Sequence, residues 1–217
     1  MCAMEVLHAT LPELESPELA LRLGMPEPLM VMPCIDVAMG RRAAVHAAGR
    51  AGAPGLLLVL HDQARLGFVA VLNAVFRASA SPWVGYMAQD AFAGRQWLSL
   101  ALCALESRQA GLLGFNDGKW QGQLASFGLA RRSWIESLYC GDFFYGGYRR
   151  HYADAELTLI AREQGRYVYQ PDSVLVEVDW CKDSAAVDAQ DRALFAQRRI
   201  SGFDGRVLKP ELLNLMR

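Results

Sequence analysis

Three aspartates stand where apolar runs stop. Asp36 follows the run at 29–34, Asp62 follows the run at 56–60 and His61, and Asp90 closes the run that begins after Pro82. At the carboxyl end of a parallel strand, a carboxylate can ligate a divalent cation or accept a ribose hydroxyl. It can equally cap the helix that follows. One strand-end acid means little, but three on one rim of a parallel sheet suggest a polar ligand site. A further acidic pair, Asp154 and Glu156, opens a helix-forming segment. There the helix dipole stabilises negative charge and is expected to lower a carboxyl pKa. His8, His46, His61 and His151 do not cluster in sequence, and of these His61 and His151 fall near the presumed rim.

The elements that must position these residues alternate in the first half. Ser16-Pro17-Glu18 starts a short outer helix that Gly24 and Pro26 stop. Strands are expected at 29–34 and 56–60 and up to Asp90, with helices at 41–50, at 67–77 and from Trp97. Unbroken apolar runs of this kind are buried on both faces, and strand–helix alternation implies a parallel sheet with right-handed crossovers. The second half is mixed: strands at 112–115, 124–130, 167–169 and 174–178, and helices at 132–138, 153–164, 186–199 and from Pro210. Between them, residues 140–152 are rich in glycine and aromatics, among them Phe143, Phe144, Tyr145, Tyr148 and Tyr152. These rings either pack in the core or form a sugar-stacking loop. The Arg198-Arg199 pair reads as a solvated helix end.

Composition narrows the class. The 217 residues carry a formal charge of −1, so no polyanion partner or nucleic-acid surface is implied. The five cysteines form no Cys-x-x-Cys pair and read as reduced thiols. No stretch approaches transmembrane length and no signal peptide is evident. The expectation is a soluble cytoplasmic protein, with any membrane association peripheral at the inner face. No Gly-x-Gly-x-x-Gly, His-Glu-x-x-His or Gly-x-Ser-x-Gly motif occurs. The run from Gly114 to Lys119 is one residue short of a P-loop and is followed by Trp120 in place of serine or threonine.

The order of these features resembles the family-2-type glycosyltransferases of GT-A fold. The proline-containing loop after the first strand is Met32-Pro33-Cys34-Ile35, the second strand ends in Leu60-His61-Asp62, and the next helix carries Gly67 and Asn73. Ala88-Gln89-Asp90 stands at the Asp-x-Asp element, and Ala153-Asp154-Ala155-Glu156 at the acidic motif. Gly165-Arg166-Tyr167-Val168-Tyr169-Gln170-Pro171-Asp172 and Val176-Glu177 are similar to a small bacterial subset of that family. The resemblance spans 29–199. It implies a Rossmann-like three-layer α/β sandwich with a mixed, mostly parallel central sheet. That would be a single domain over 1–217: an N-terminal extension (1–28), a nucleotide-binding half (29–110) and an acceptor half (111–217).

It further implies an inverting glycosyltransferase that uses a UDP-sugar, with an unidentified saccharide or small molecule as acceptor. Pro33, Cys34, Ile35, Asp36, Asp62, Asn73, Gln89, Asp90 and Lys182 would bind the nucleotide, Asp62 through the uracil. Arg131 and Arg132 join Lys182 as candidate phosphate partners. Manganese or magnesium would sit on Asp90 with Glu177 or Asp179. Asp154 would be the base, with Glu156 second. Three positions depart from the family pattern: Ala88 replaces the first acid of Asp-x-Asp, Ala153 the acid before Asp154, and Val178 a histidine. These losses weaken metal binding, and they leave a second reading in which a degenerate GT-A domain binds UDP or a UDP-sugar without transfer. A flavodoxin-like receiver or partner-binding domain would explain the alternating front half, but not the acidic helix or the aromatic loop.

Overall fold

A computed structural model describes residues 4–177 and 187–215. Eight strands form one sheet in the order β1-β3-β2-β4-β7-β6-β8-β5. They are β1 (Met4–Thr10), β2 (Leu29–Cys34), β3 (Gly55–His61), β4 (Trp83–Tyr86), β5 (Ala91–Ala93), β6 (Leu112–Asn116), β7 (Gly128–Arg131) and β8 (Tyr167–Glu177). The first four pair in parallel; β7 is antiparallel to both β4 and β6, β8 is parallel to β6, and β5 is antiparallel to β8. The sheet is therefore parallel at the front and mixed at the back, as the alternation implied.

Apolar runs become central strands because both faces are covered. Along β3, Leu56, Leu58 and Leu60 enter one core, while Leu57 and Val59 enter the other. The first core is closed by α1 (Pro17–Leu23), α3 (Phe68–Ala78) and α6 (Ala153–Glu163), and the second by α2 (Val37–Ala48) and α4 (Trp97–Ser107). α5 (Arg132–Ile135), α7 (Ala189–Ile200), α8 (Gly202–Gly205) and α9 (Pro210–Leu213) complete the chain. Ser16 caps α1 by accepting the Leu19 amide at 3.3 Å.

Several elements differ from the sequence reading. β1 was not anticipated: only Met4 and Ala9 in it are buried, so its hydrophobic alternation is weak, as befits an edge strand. The strand toward Asp90 ends at Tyr86. A turn through 87–90 then reverses the chain into β5, which pairs with β8. The segments expected at 167–169 and 174–178 join, up to Glu177, as β8, where Asn116 Nδ2 donates to the Pro171 carbonyl at 2.8 Å and the ladder shifts register; Val178 lies outside the described residues.

The aromatic loop is core. Phe143, Phe144 and Tyr148 are buried, and Tyr86 meets Phe143 and Phe144 edge-to-face at 5.7 and 5.1 Å. Asn73 on α3 secures it: Oδ1 accepts the Phe143 and Phe144 amides at 3.1 and 2.9 Å, and Nδ2 donates to the Phe144 carbonyl at 3.0 Å. Tyr152 stacks on Phe195 at 4.8 Å.

Two carboxylates anchor α7 to this region. Asp191 accepts the successive amides of Arg149, Arg150 and His151, each at 2.8 Å. Glu156, fully buried, receives Arg198 Nε and Nη2 at 2.7 Å each and the hydroxyls of Tyr139 and Tyr148 at 2.9 Å each. Arg198 also reaches Asp204 at 3.1 Å and lies over the Tyr145 ring. Arg198 is thus a buried ion-pair partner and not a solvated helix end. Removing one partner strands the other charge. Arg198→Ala is expected to cost about 3–5 kcal/mol in urea unfolding, with Glu156→Gln/Arg198→Met recovering much of the loss. If Arg198→Ala unfolds like the parent, the pair does not anchor α7.

Candidate functional site

Sheet direction places the acids. β2, β3, β4, β6 and β8 all point the same way, because two antiparallel steps through β7 restore the direction of β4 in β6. Their carboxyl ends form one rim, with Pro33 near the end of β2, Ile35 and Asp36 beyond it, Asp62 after β3, Gln89 and Asp90 after β4, and Glu177 at the end of β8. Asp117 after β6 is an addition that the sequence analysis does not single out. The signal was present: it too is an acid immediately beyond an apolar run.

Local hydrogen bonds shape each strand end. Gln89 Oε1 accepts the Ile35 and Asp36 amides at 2.8 and 3.0 Å, tying the β2 and β4 ends together. Asp36 caps α2 by accepting the Met39 amide at 2.9 Å. Asp62 accepts the amides of Leu66 and Gly67 at 2.8 Å each, which closes the loop leading into α3. Gly67 has φ +104°, and a Cβ there would lie 2.6 Å from the Arg149 carbonyl oxygen. Only glycine lets this loop reach the Arg149 segment. Asp117 accepts the Lys119 and Trp120 amides at 2.9 and 2.8 Å, and also the Ser126 hydroxyl. These acids cap local backbone, yet an ionised carboxylate offers about four acceptor positions, so capping does not exhaust Asp36 or Asp62.

Asp154 lies in the first turn of α6 and accepts the Ala155 amide at 2.9 Å. Its carboxyl is pushed up from the ordinary 3.8 to about 7, first by burial and further by the neighbouring carboxylates Asp117 and Glu177; the Ala155 amide pulls the other way. The sequence expectation of a lowered value is overturned, because loss of water outweighs the helix terminus. α6 itself is held from behind. Thr158 Oγ1 donates to the Asp154 carbonyl at 2.7 Å and accepts the Ala125 amide at 3.1 Å, and Tyr86 donates to the Ala125 carbonyl at 2.5 Å.

Asp90 and Glu177 lie at the same end of the β5–β8 ladder, since Asp90 precedes Ala91, the residue registered with Glu177. Two carboxylates of this kind suit a hard cation that phosphates also ligate and that keeps its waters. Among the described residues no three His, Cys, Asp or Glu side chains form a metal-holding group. Lys182 and Asp179 lie outside the described residues.

Other expected residues are placed elsewhere. The Cys34 side chain is buried toward α2, where its Sγ donates to the Asp36 carbonyl at 3.0 Å and burial pushes the thiol up. Asn73 holds the aromatic loop, and all the Glu156 oxygens are engaged inside the core. Arg131 and Arg132 are at the opposite end of β4, where Trp83 pairs with Arg131. Arg131 lies over Trp83, and Arg132 donates to Ser81, Phe76 and Ser79. Neither arginine reaches a phosphate on the rim. No helix among the described residues is long and apolar enough to cross a membrane.

No protein-family model and no curated protein matches the chain in sequence. Solved structures match its architecture. The mannosyltransferase PcManGT from Pyrobaculum calidifontis, in complex with GDP-Man and Mn2+, is 17% identical with a TM-score of 0.54, over 90% of this chain and 74% of that one. S. aureus TarS 1-349 is 11% identical with a TM-score of 0.52, over 93% of this chain. The same fragment in complex with UDP-GlcNAc is 10% identical with a TM-score of 0.53, over 94% of this chain. The chain spans 65% of the TarS fragment's length. Fold and strand direction together give the chain a GT-A-like α/β architecture.

Proposed function

We propose that the protein transfers a sugar from a nucleotide sugar, a UDP-sugar by the sequence resemblance, to an acceptor hydroxyl with inversion. The observation that carries this reading is Asp154, a carboxyl poised near neutrality among the acids of a nucleotide-type rim. A general base works best when its pKa lies near the working pH. The acceptor hydroxyl gives its proton to Asp154 as its oxygen bonds the anomeric carbon. The bond from that carbon to the phosphate oxygen breaks on the opposite face, and its electron pair leaves with the nucleoside diphosphate. A divalent cation, when bound, would neutralise charge on that leaving group, and Asp90 and Glu177 are the residues that would hold it. Asp62 would accept from the base, and exposed Ile35 and Leu66 on either side of it give the base an apolar surface.

A second reading, a domain that binds a nucleotide sugar without transfer, is favoured by Ala88 and by the lack of a three-acid metal group among the described residues. Turnover of UDP-sugars in manganese, first as slow hydrolysis and then with an acceptor screen, separates the two.

Asp154→Asn is expected to lower kcat about a hundredfold or more while UDP affinity, measured by calorimetry, is preserved. In the parent, kcat should rise with pH through about 7, because the base must be ionised. Stability moves oppositely. Between pH 3.8 and about 7 the folded chain retains a proton that the unfolded chain has released, so this group's contribution falls as pH rises. The melting-temperature gain of Asp154→Asn should therefore be larger at pH 8 than at pH 4. Unaltered turnover in Asp154→Asn would leave Asp154 as a helix cap only.

UDP should bind more tightly than ADP or GDP, and Asp62→Ala should weaken it by about 1–3 kcal/mol. Equal affinity for all three nucleotides removes the uracil assignment. Manganese should strengthen UDP but not uridine, and Asp90→Asn should abolish that gain; a gain that survives Asp90→Asn places the cation elsewhere.

A further inference from the structure

The outer edge of the sheet has its own construction, distinct from the acidic rim. β1 is the terminal strand and pairs, among the described residues, only with β3, in unbroken register from Met4 to Thr10. Which of its backbone groups face outward follows from parity. The Leu56 amide donates to Pro28, so the even residues of β3 serve β2 and the odd ones serve β1. In a parallel ladder the odd β3 residues engage Glu5, Leu7 and Ala9, leaving the N–H and C=O groups of Met4, Val6 and His8 facing out. The Thr10 amide fits this parity: it turns outward and meets the Glu13 carboxylate at 2.6 Å. Edge strands are usually blunted by lysine, proline or a bulge. β1 has none of these.

Beside this edge runs a groove of about 780 Å³ between β1 and α1. Leu7, Leu19, Leu21 and Met25 give it an apolar surface, and Leu21 is 76% exposed. Its charge is one-sided. Glu5, Glu13, Glu18 and Glu27 line it against a single guanidinium, Arg22, which already bonds Glu5 and Glu27 at 2.7 and 3.0 Å. His8 adds no positive charge near pH 7, because burial, Arg41 and His61 hold it below its ordinary value.

We propose that β1 and this groove bind an extended basic segment of a partner polypeptide, which adds a ninth strand to the sheet. Main-chain bonds to Val6 and His8 supply the register, and the alternate side chains that face the groove are lysine or arginine, whose aliphatic stems lie on its leucines and whose charges meet its glutamates. The surface is separate from the glycosyl-transfer reading and stands whether or not that reading holds.

The test uses the full chain and a fluorescein-labelled peptide, Lys-Val-Lys-Val-Lys-Val-Lys, followed by anisotropy and by hydrogen exchange at the β1 amides. Binding should protect the Val6 and His8 amides and should vanish for the Glu-Val counterpart. It should weaken about tenfold or more when alternate peptide nitrogens are methylated. Val6→Pro removes an outward amide at a position where an edge strand tolerates proline, and should cost a similar factor. Glu18→Lys should weaken binding about threefold or more by reversing one groove charge. Should Val6→Pro fail to fold, the methylated peptide and the exchange pattern decide. The proposal is overturned if the peptide does not bind, if methylation leaves affinity unchanged, or if protection appears away from β1. It is also overturned if the protein alone sediments as a dimer through this edge, since a second copy would then be its occupant.

Discussion

A sheet covered on both faces must satisfy its backbone within its own plane, because no water reaches its central amides and carbonyls. That constraint leaves polar chemistry two places to stand: the strand ends and the outermost edges. β2, β3 and β4, with Met30, Val31, Leu57, Leu58 and Val84 all buried, obey it closely. Their side chains are committed to two cores, so any residue that meets a ligand must lie past the last rung. The acids at 36, 62, 90 and 117 lie there, and strand direction gathers them onto one rim.

The second half solves a different problem, which is to hold a helix start against that rim. α6 buries Leu157, Leu159 and Ile160 in the first core, and α7 is bound to it by charge. The Glu156–Arg198 pair, with two tyrosine hydroxyls completing the glutamate's acceptor positions, is satisfied at every oxygen, and burial makes it costly to break. Two residues before Glu156, Asp154 inherits a fixed position. Glu156 is structural and Asp154 faces the rim because residues two apart on a helix point in different directions.

Position also sets protonation. A helix start favours a carboxylate by a modest amount, while burial beside two other carboxylates opposes it by more. The outcome is an acid that titrates near neutrality at a place where sequence logic expects a strong one. Behind the helix start, Tyr86, Ala125 and Thr158, from three separate parts of the chain, are joined by hydrogen bonds that end on the Asp154 carbonyl.

Local pattern was enough for the front of the fold. The unbroken run at 56–60, the helix expected at 41–50 and the serine cap at Ser16 are all properties of short windows, and each formed the expected element. The rim acids Asp36, Asp62 and Asp90 were legible for the same reason, as was the order of motifs that resembles the GT-A enzymes. The back half was not. Nothing local distinguishes Arg198 on a charged helix from a solvated arginine, since its partner lies 42 positions earlier. Phe143 and Phe144 look the same in sequence whether they stack on a sugar or on Tyr86, and Arg131 and Arg132 look like phosphate ligands until β7 carries them to the far end of β4. Asp117 needed the direction of β6, and β1 needed a partner strand, because an edge strand buries too little to announce itself. Burial, direction and partner are properties of the assembled sheet, and they decided which acids gather on one rim.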